Sequence, residues 1–535
     1  MAYRQYRTLI STVAQSARRT GLGSGASFTP ACAVATGSSW SSHDHTKYLA
    51  AGAIAGLALL LKSTGTESEC SERRFTLKEV AEKDGGPQSG GQILVTFKGG
   101  VYDITEFVAS HPGGQSKIRL AAGKSLEPFW QLFPFHLEQA QVSELLKGMR
   151  VGALAESEQV AQVDSADPFS KDPARHPALI LHSTRPCNAE VPAELLTESY
   201  VTPASLWYIR NHHPVPLVKE EDYKLKVDGR ASGGFVVELS LAQLRALPAI
   251  TLVATMQCSG NRRGDMNKVS KASGTSWGQG AISTAEWTGP RLSDVLRLAG
   301  VHSESEGAKH ACFQAMDEMQ ASVPCGKALE RAGDAILALE MNGEPLPREH
   351  GFPVRAVVPG YVGVRNVKWV NEVRLSQEEA LGDWQRGLNY KILPPGLSSA
   401  EGVDLSTVPA MQEASVFSGI TGAEGGEEAG LVDAKGWAWA GGGRGIARVD
   451  ISADGGKTWK MANIVQGAGQ PAGREWAWVF WEASGVVADG QSGEVEVISR
   501  AIDKCYNSQP ENASHIWNMR GLGNNSWFRR KFQLE

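Results

Sequence analysis

Cysteine is scarce in this chain. Its 535 residues hold seven, Cys32, Cys70, Cys187, Cys258, Cys312, Cys325 and Cys505. The number is odd, the spacing is wide and no C-x-x-C occurs, which excludes a disulfide framework and a zinc knuckle. Also missing are G-x-x-x-x-G-K-[ST], H-E-x-x-H and G-x-S-x-G, the signatures of phosphate-loop, zincin and nucleophile-elbow chemistry. GGGRG at 441–445 lacks the G-x-G-x-x-G spacing and reads as a turn between strands. Neither sign of charge is in excess. Lys+Arg is 53 and Asp+Glu 58, net -5, which argues against a broad nucleic-acid-binding surface but leaves room for a local basic pocket. No apolar run is long enough to cross a bilayer. Tyr48–Leu61, between Lys47 and Lys62, would make a helix of about 21 Å against a hydrocarbon core of about 30 Å, so no stable membrane span is expected.

What remains is an ordinary globular composition, 42% apolar and 21% charged. The length suits roughly three to four domains. The 59 glycines imply many turns, and the 15 tryptophans imply large rigid side chains in cores or pockets. The first 70 residues read as an address. Arg4, Arg7, Arg18 and Arg19 stand in a serine-rich stretch whose first acidic residue is Asp44, the pattern of a mitochondrial transit peptide. The short apolar run after it resembles the second half of a two-part signal for the intermembrane space.

Residues 73–153 read as a small mixed domain. Short strands at 93–97 and 101–105 flank Gly99-Gly100, and helical stretches end in Val142–Met149. Residues 154–172 lack apolar periodicity and read as a flexible linker. Residues 173–403 form the largest block, of mixed strands, helices and turns. From 404 to 535 short strands alternate with Gly-rich turns. Ala447–Ser452, a turn at Asp454-Gly455-Gly456 and Thr458–Ala462 make a hairpin, and Trp476–Trp481 and Glu494–Arg500 read as further strands. This block is expected to be a β-sandwich.

Two constellations carry chemistry. His111-Pro112-Gly113-Gly114 precedes a second histidine, His136, which closes the aromatic run PFWQLFPFH. Two neutral imidazoles can hold haem iron from opposite faces, with aromatic walls excluding water. The glycines would let the backbone pass close to the macrocycle. Elsewhere, Cys258 lies in TMQCSGNRR beside Arg262 and Arg263. Neighbouring positive charge favours thiolate, which is a nucleophile and a soft metal ligand. Arg210, Arg355 and Arg520 stand in RNHHPVP, HGFPVR and IWNMRG. Arginine suits forked recognition of oxyanions and phosphate, although the sequence does not show whether these residues converge.

Residues 73–153, and YDITEFVASHPGG in particular, resemble the cytochrome b5 family. That resemblance implies His111 and His136 as axial ligands of a haem b that carries electrons. Residues 173–535 resemble the sulfite oxidase family through RNHHPVP, TMQCSGNRR, GAISTAEWTG, MNGEPLPREHGFPVR, WNMRG and GWAWAGGGR. The whole chain is similar to the family's animal-type mitochondrial branch.

The fold this implies is multidomain α+β. A cytochrome b5-like haem domain precedes a mixed α/β molybdopterin-binding catalytic domain and a C-terminal immunoglobulin-like β-sandwich that mediates homodimerisation. The implied cofactors are molybdenum-molybdopterin, with Cys258 as the protein ligand to the metal, and haem b. By motif position Tyr208, Ile209, Arg210, Asn211, His212, Asp317, His350, Arg355, Asn366, Val367 and Lys368 would hold the pyranopterin and its phosphate. Arg210, Arg263, Trp277, Tyr390 and Arg520 would line the anion pocket. The implied activity is oxidation of sulfite to sulfate with oxygen from water, electrons passing singly through the haem to cytochrome c in the intermembrane space.

Four departures from the family pattern stand out. His213 replaces an apolar residue. GTSWGQG (274–280) lacks a basic residue after Trp277. The stretch after Asp317 is shorter, and Gly387-Leu388-Asn389 is less polar. The alternatives are a nitrate reductase-like molybdoenzyme, disfavoured by the absence of a dinucleotide fingerprint, and a non-catalytic haem carrier, disfavoured by Cys258 and the arginines around it.

Overall fold

The computed structural model describes residues 72–534 except 112–114, 133–135, 137–139, 156–167, 306 and 491–492. The address at 1–70 and the Gly113-Gly114 pair lie outside the described residues.

The first module is a four-stranded sheet with short helices against it. In sheet order the strands are Arg74–Phe75, Arg150–Leu154, Gly100–Asp103 and Leu94–Phe97; the first pair is parallel and the others antiparallel. The two strands read from the alternation around Gly99-Gly100 thus pair as a hairpin. A capping box starts the helix Leu77–Ala81: Thr76 Oγ1 accepts the Glu79 amide and Glu79 Oε2 accepts the Thr76 amide, satisfying two donors that the first turn leaves unpaired. Ile93, Val95, Ile104, Val108 and Phe129 are buried beneath the sheet.

The 154–172 segment is not free at either end. The Leu154 amide donates to Gly99 O at 2.8 Å. At the other end Asp172 accepts from Arg175 at 2.7 Å and from the Val215 amide at 2.9 Å.

The large middle block is built on two principal sheets. A nine-residue antiparallel pair, Ala249–Gln257 with Ile282–Pro290, runs in unbroken register from Ala249↔Pro290 to Gln257↔Ile282. The second sheet orders Gln320–Pro324, His310–Ala315, Val370–Ser376, Lys224–Asp228 and Val236–Ser240; only Val370–Ser376 with Lys224–Asp228 is parallel. A small sheet of Ile180–Thr184, Cys187–Glu190 and Ile209–Arg210 completes the frame. Functional residues sit where these strands stop, the usual place for loops held by a rigid scaffold.

The C-terminal block is a sandwich of two four-stranded sheets with a shared core that includes Ile420, Val449, Ile451, Trp481 and Val497. The expected hairpin is present, with Ile446–Ser452 pairing Lys460–Met461 in the register Asp450↔Met461. The 441–445 stretch is a turn, with positive φ at Gly442, Gly443 and Gly445. One expectation is corrected. Trp476 and Trp478 alternate as a strand would, yet the strand begins only at Val479. Their backbones turn away to the catalytic block instead: the Thr255 amide donates to Trp476 O at 3.1 Å, and the Trp478 amide donates to Thr255 Oγ1 at 2.8 Å. Both indoles are buried in this seam, where Trp478 Nε1 donates to Tyr200 O at 3.0 Å.

Candidate functional site: a cationic cleft around Cys258 and a facing pair of histidines

Cys258 follows the last residue of the strand Ala249–Gln257, and its amide donates to Ala281 O at 2.9 Å. It opens onto a cleft, the kind of concave setting in which small molecules and cofactors bind. The same cleft is lined by Tyr208, Arg210, Asn211, His212, Asp317, His350, Arg355, Asn366, Val367, Lys368 and Tyr390. Eleven of the residues proposed from motif position therefore converge with the cysteine, although they span more than 180 positions of the chain.

Ile209 does not converge. It is a buried strand residue, paired with Ala189, that packs into the core. Arg263, Trp277 and Arg520 lie beside the cleft rather than on its wall. Arg263 donates from Nε to Arg520 O at 2.9 Å and from Nη1 to Thr275 O at 2.6 Å. Arg520 bonds Ser273 Oγ and Asn389 Oδ1, both at 2.8 Å. Trp277 is fully buried. Arg263 still feels the site: burial pushes its pKa down, the Cys258 thiol and Tyr390 pull it up, and Arg520 and Arg210 push it down again.

The pair Arg262-Arg263 does not act as a unit on Cys258. Arg262 has φ 62° at the start of the helix Arg263–Val269, and this left-handed turn sends its guanidinium the other way. It bonds Ser526 O at 2.6 Å, Trp527 O at 3.0 Å and Asp265 at 3.1 Å. It ties the sandwich to the catalytic block.

The cleft wall is cationic and desolvated. Arg355 is buried, and its Nη atoms donate to His350 O at 2.9 Å, Asn366 O at 3.1 Å and Met256 Sδ at 3.3 Å, while Nε has no partner among the described residues. These acceptors are carbonyls and a thioether, not a carboxylate, and burial lowers its pKa to about 10. Lys368 Nζ donates to Glu349 O at 3.0 Å and to Asn211 Oδ1; burial brings its pKa down to about 8. His212 has an unpartnered buried Nε2, and burial, with Arg210 second, holds it well below its usual pKa. His350 donates from Nε2 to Ala204 O at 2.9 Å; burial pushes its pKa to about 3, so it is neutral. Tyr390 is pushed up to about 12 by burial, with the Cys258 thiol adding to the effect, so its hydroxyl keeps its proton. Among the described residues Asp317 is the one carboxylate on the wall. Its Oδ2 stands 3.6 Å from Nδ1 of His213, so the unexpected histidine extends this rim.

Several residues escaped the sequence reading. Glu349 is buried under the cleft, accepts Arg175 Nε at 2.8 Å and takes a hydrogen bond from Asn211 Nδ2. Trp207, Met319, Val364 and Trp369 add apolar lining. Gly363 lines the cleft where a Cβ would stand 2.8 Å from Tyr208 Oη, so any side chain would close it. Asn366, expected to hold a ligand, spends its side chain on the loop: Oδ1 accepts the Val358 amide at 2.7 Å, and Nδ2 reaches Tyr361 O and Val362 O at 3.1 Å.

In the first module His111 ends the turn Phe107–Ser110. Its ring and that of His136 are parallel within 2°, with centroids 6.3 Å apart. Two metal–nitrogen bonds of about 2.0 Å, each with about 1.1 Å from nitrogen to ring centre, span about 6.2 Å. The gap is therefore the width of one six-coordinate iron. Trp130 lies 5.6 Å from His136 and Phe107 5.8 Å from His111. The residues present fit a haem here and an anionic, phosphate-bearing cofactor in the cleft.

Comparison with known proteins gives the domains in which the two sites lie. A cytochrome b5-like heme/steroid binding domain matches residues 76–155, an oxidoreductase molybdopterin binding domain 212–384 and a Mo-co oxidoreductase dimerisation domain 417–535. The chain is 46% identical over 464 residues to the mitochondrial sulfite oxidase of Homo sapiens, covering 85% of this chain and 83% of that one. It is 46% identical over 465 residues to the sulfite oxidase of Gallus gallus, covering 85% and 99%. Among solved structures, the sulfane dehydrogenase SoxCD of Paracoccus pantotrophus superposes with a TM-score of 0.54 at 26% identity, over 66% of this chain and 85% of that one. The chain belongs to the sulfite oxidase family, as a molybdopterin oxidoreductase carrying a cytochrome b5-like haem module.

Proposed function

We propose that the chain oxidises sulfite to sulfate in the Cys258 cleft and passes the electrons through the haem module to cytochrome c. The observation that carries this reading is the convergence of Cys258 with Arg210 and Tyr390 on one wall, with Arg263 and Arg520 at its back. A molybdenum cofactor bound there supplies two-electron oxygen transfer, and the haem supplies one-electron carriage.

Cys258 is the thiolate ligand in this reading. Arg355, Lys368, His212 and Asn211 hold the pyranopterin and its phosphate, where a dianion would relieve the uncompensated burial of two cations. Arg210, assisted by Arg263 and Arg520, attracts and orients the sulfite oxyanion by charge-assisted hydrogen bonds. Tyr390, protonated at Oη, donates a hydrogen bond to a substrate oxygen and can pass a proton. Trp207 and Trp369 exclude water from the pocket, and Trp277 packs behind it. His111 and His136 would hold the haem iron, and the haem would supply one-electron transfer. The sandwich pairs two copies of the chain. No helix among the described residues is long and apolar enough to cross a membrane. The arginine-rich start and the mitochondrial relatives support a mitochondrial address, and the apolar run after it supports the intermembrane space.

The test is an anaerobic visible spectrum of the purified protein before and after sulfite. Reduction of a low-spin b-type haem by sulfite is expected, and its loss in Cys258→Ser with the oxidised haem spectrum intact. A wild-type haem that stays oxidised, or a Cys258→Ser protein that still turns over sulfite, would refute the reading.

A further inference from the structure

Glu190 ends the strand Cys187–Glu190 and is only 4% exposed. Oε1 accepts the Gly278 amide and Oε2 the Gly280 amide, each at 2.9 Å. His182 Nε2 lies 2.8 Å from the same Oε1. Two backbone amides already donate to the carboxylate, so the third bond needs a proton on Nε2, which fixes the tautomer of His182. The ring so held stands edge-on to Trp277, with centroids 4.9 Å apart at 67°.

The opposite side of the same segment is bonded to the Cys258 loop. Gly278 O accepts the Arg262 amide at 2.7 Å, and Ala281 O accepts the Cys258 amide at 2.9 Å. Asn261 bridges the two strands of chain through the Ala281 amide at 3.1 Å and Gln279 O at 3.3 Å. The seat is shaped for this segment, because a Cβ on Gly280 would stand 2.0 Å from Val191 O.

We infer that Glu190 is a positioning residue for the anion pocket: its carboxylate clamps Trp277–Ala281 against the back of the Cys258 loop, and its partner His182 sets the ring of Trp277. This rests on the reading that Trp277 shapes the sulfite pocket. Nothing in the sequence motifs or the domain matches assigns a role to either residue.

The test uses the full-length protein with Glu190→Gln, Glu190→Asp and His182→Asn. A glutamine removes the charge and sets an N–H against a donor: with its oxygen kept on Gly278 and His182, the bond from the Gly280 amide is lost. Glu190→Gln is expected to raise the KM for sulfite about tenfold with kcat within about threefold, the loss of one or two charge-assisted hydrogen bonds. Molybdenum content and the haem spectrum stay at wild-type levels. In the cofactor-free protein, hydrogen exchange of residues 274–281 rises about tenfold while that of 282–290 is unchanged. His182→Asn keeps a donor for Glu190 but removes the ring, so KM rises by about threefold and exchange stays put. Glu190→Asp keeps the charge on a shorter arm and falls between; it carries the test if the glutamine variant does not fold. Unchanged exchange in Glu190→Gln overturns the clamp, and raised exchange with an unchanged KM overturns its role in the pocket. A wild-type protein that fails to oxidise sulfite refutes the proposed function alone, since the exchange measurement does not depend on it.

Discussion

Replacing Lys368 by methionine should strengthen the cofactor-free protein at neutral pH while abolishing its hold on the cofactor. Burial lowers the ammonium pKa from 10.5 to about 8. The folded value lies below the unfolded one, so between pH 8 and 10.5 the unfolded chain binds more protons, and stability rises with pH across that window. At pH 7 both states are charged and the full penalty is present. At about 1.36 kcal/mol per unit, the cation costs up to about 3 kcal/mol at pH 7, of which about 2.5 kcal/mol is recovered by pH 10. Methionine removes this but leaves Asn211 Oδ1 and Glu349 O without their donor, at a cost of about 1–2 kcal/mol. The assay is chaotrope unfolding of cofactor-free wild type and Lys368→Met at pH 7 and pH 10. The wild type minus variant difference should move by about 2 kcal/mol in favour of wild type at the higher pH. A difference flat with pH would refute the claim that Lys368 is a charge buried at a cost. With the cofactor bound, the phosphate restores the charge. Cofactor affinity should therefore fall as pH rises above about 8, because binding then requires proton uptake.

Other outcomes follow from the same geometry. His111→Ala or His136→Ala should remove the low-spin haem spectrum and block cytochrome c reduction, yet leave sulfite turnover with a direct chemical oxidant. Arg210→Gln should raise the KM for sulfite by roughly one to two orders of magnitude with a smaller effect on kcat, since it removes a charge-assisted contact to the anion. Trp478→Ala should cost about 3–5 kcal/mol, measured by thermal unfolding, because the indole fills the seam between the catalytic block and the sandwich.

Much of the cleft was legible because its chemistry is written in short contiguous runs. Cys258, Arg210-Asn211-His212 and Asn366-Val367-Lys368 each carry a recognisable residue type within a motif; Cys258 follows a strand, Arg210 ends one, and Lys368 lies two residues before one. The hairpin at 446–461 was legible for the same local reason, a turn at Asp454-Gly455-Gly456. Adjacency misled where a backbone dihedral intervened. Arg262 and Arg263 are neighbours, but the left-handed φ at Arg262 sends one guanidinium to Ser526 and leaves the other by the thiol. Period-two alternation misled at Trp476–Trp478, whose hydrogen bonds run to Thr255, more than 200 residues away. Glu349 and Glu190 left no signal, because a single carboxylate acquires meaning only from donors that the fold brings to it. For Glu349 the donor Arg175 is 174 positions distant.

The residues that were hardest to read explain why the cleft demands an anion. Glu349 lies beneath the wall and is shared by Arg175 and Asn211, so its charge is already committed. On the wall itself Arg210, Arg355 and Lys368 face a single carboxylate, Asp317, which His213 partly engages. A folded protein does not ordinarily bury cations against carbonyls and a thioether without some return. Here the imbalance is a stability deficit in the cofactor-free chain and a binding energy in the loaded one. A substitution that balances the wall internally, such as an acidic residue at Val364, should therefore stabilise the empty protein and lose the cofactor together.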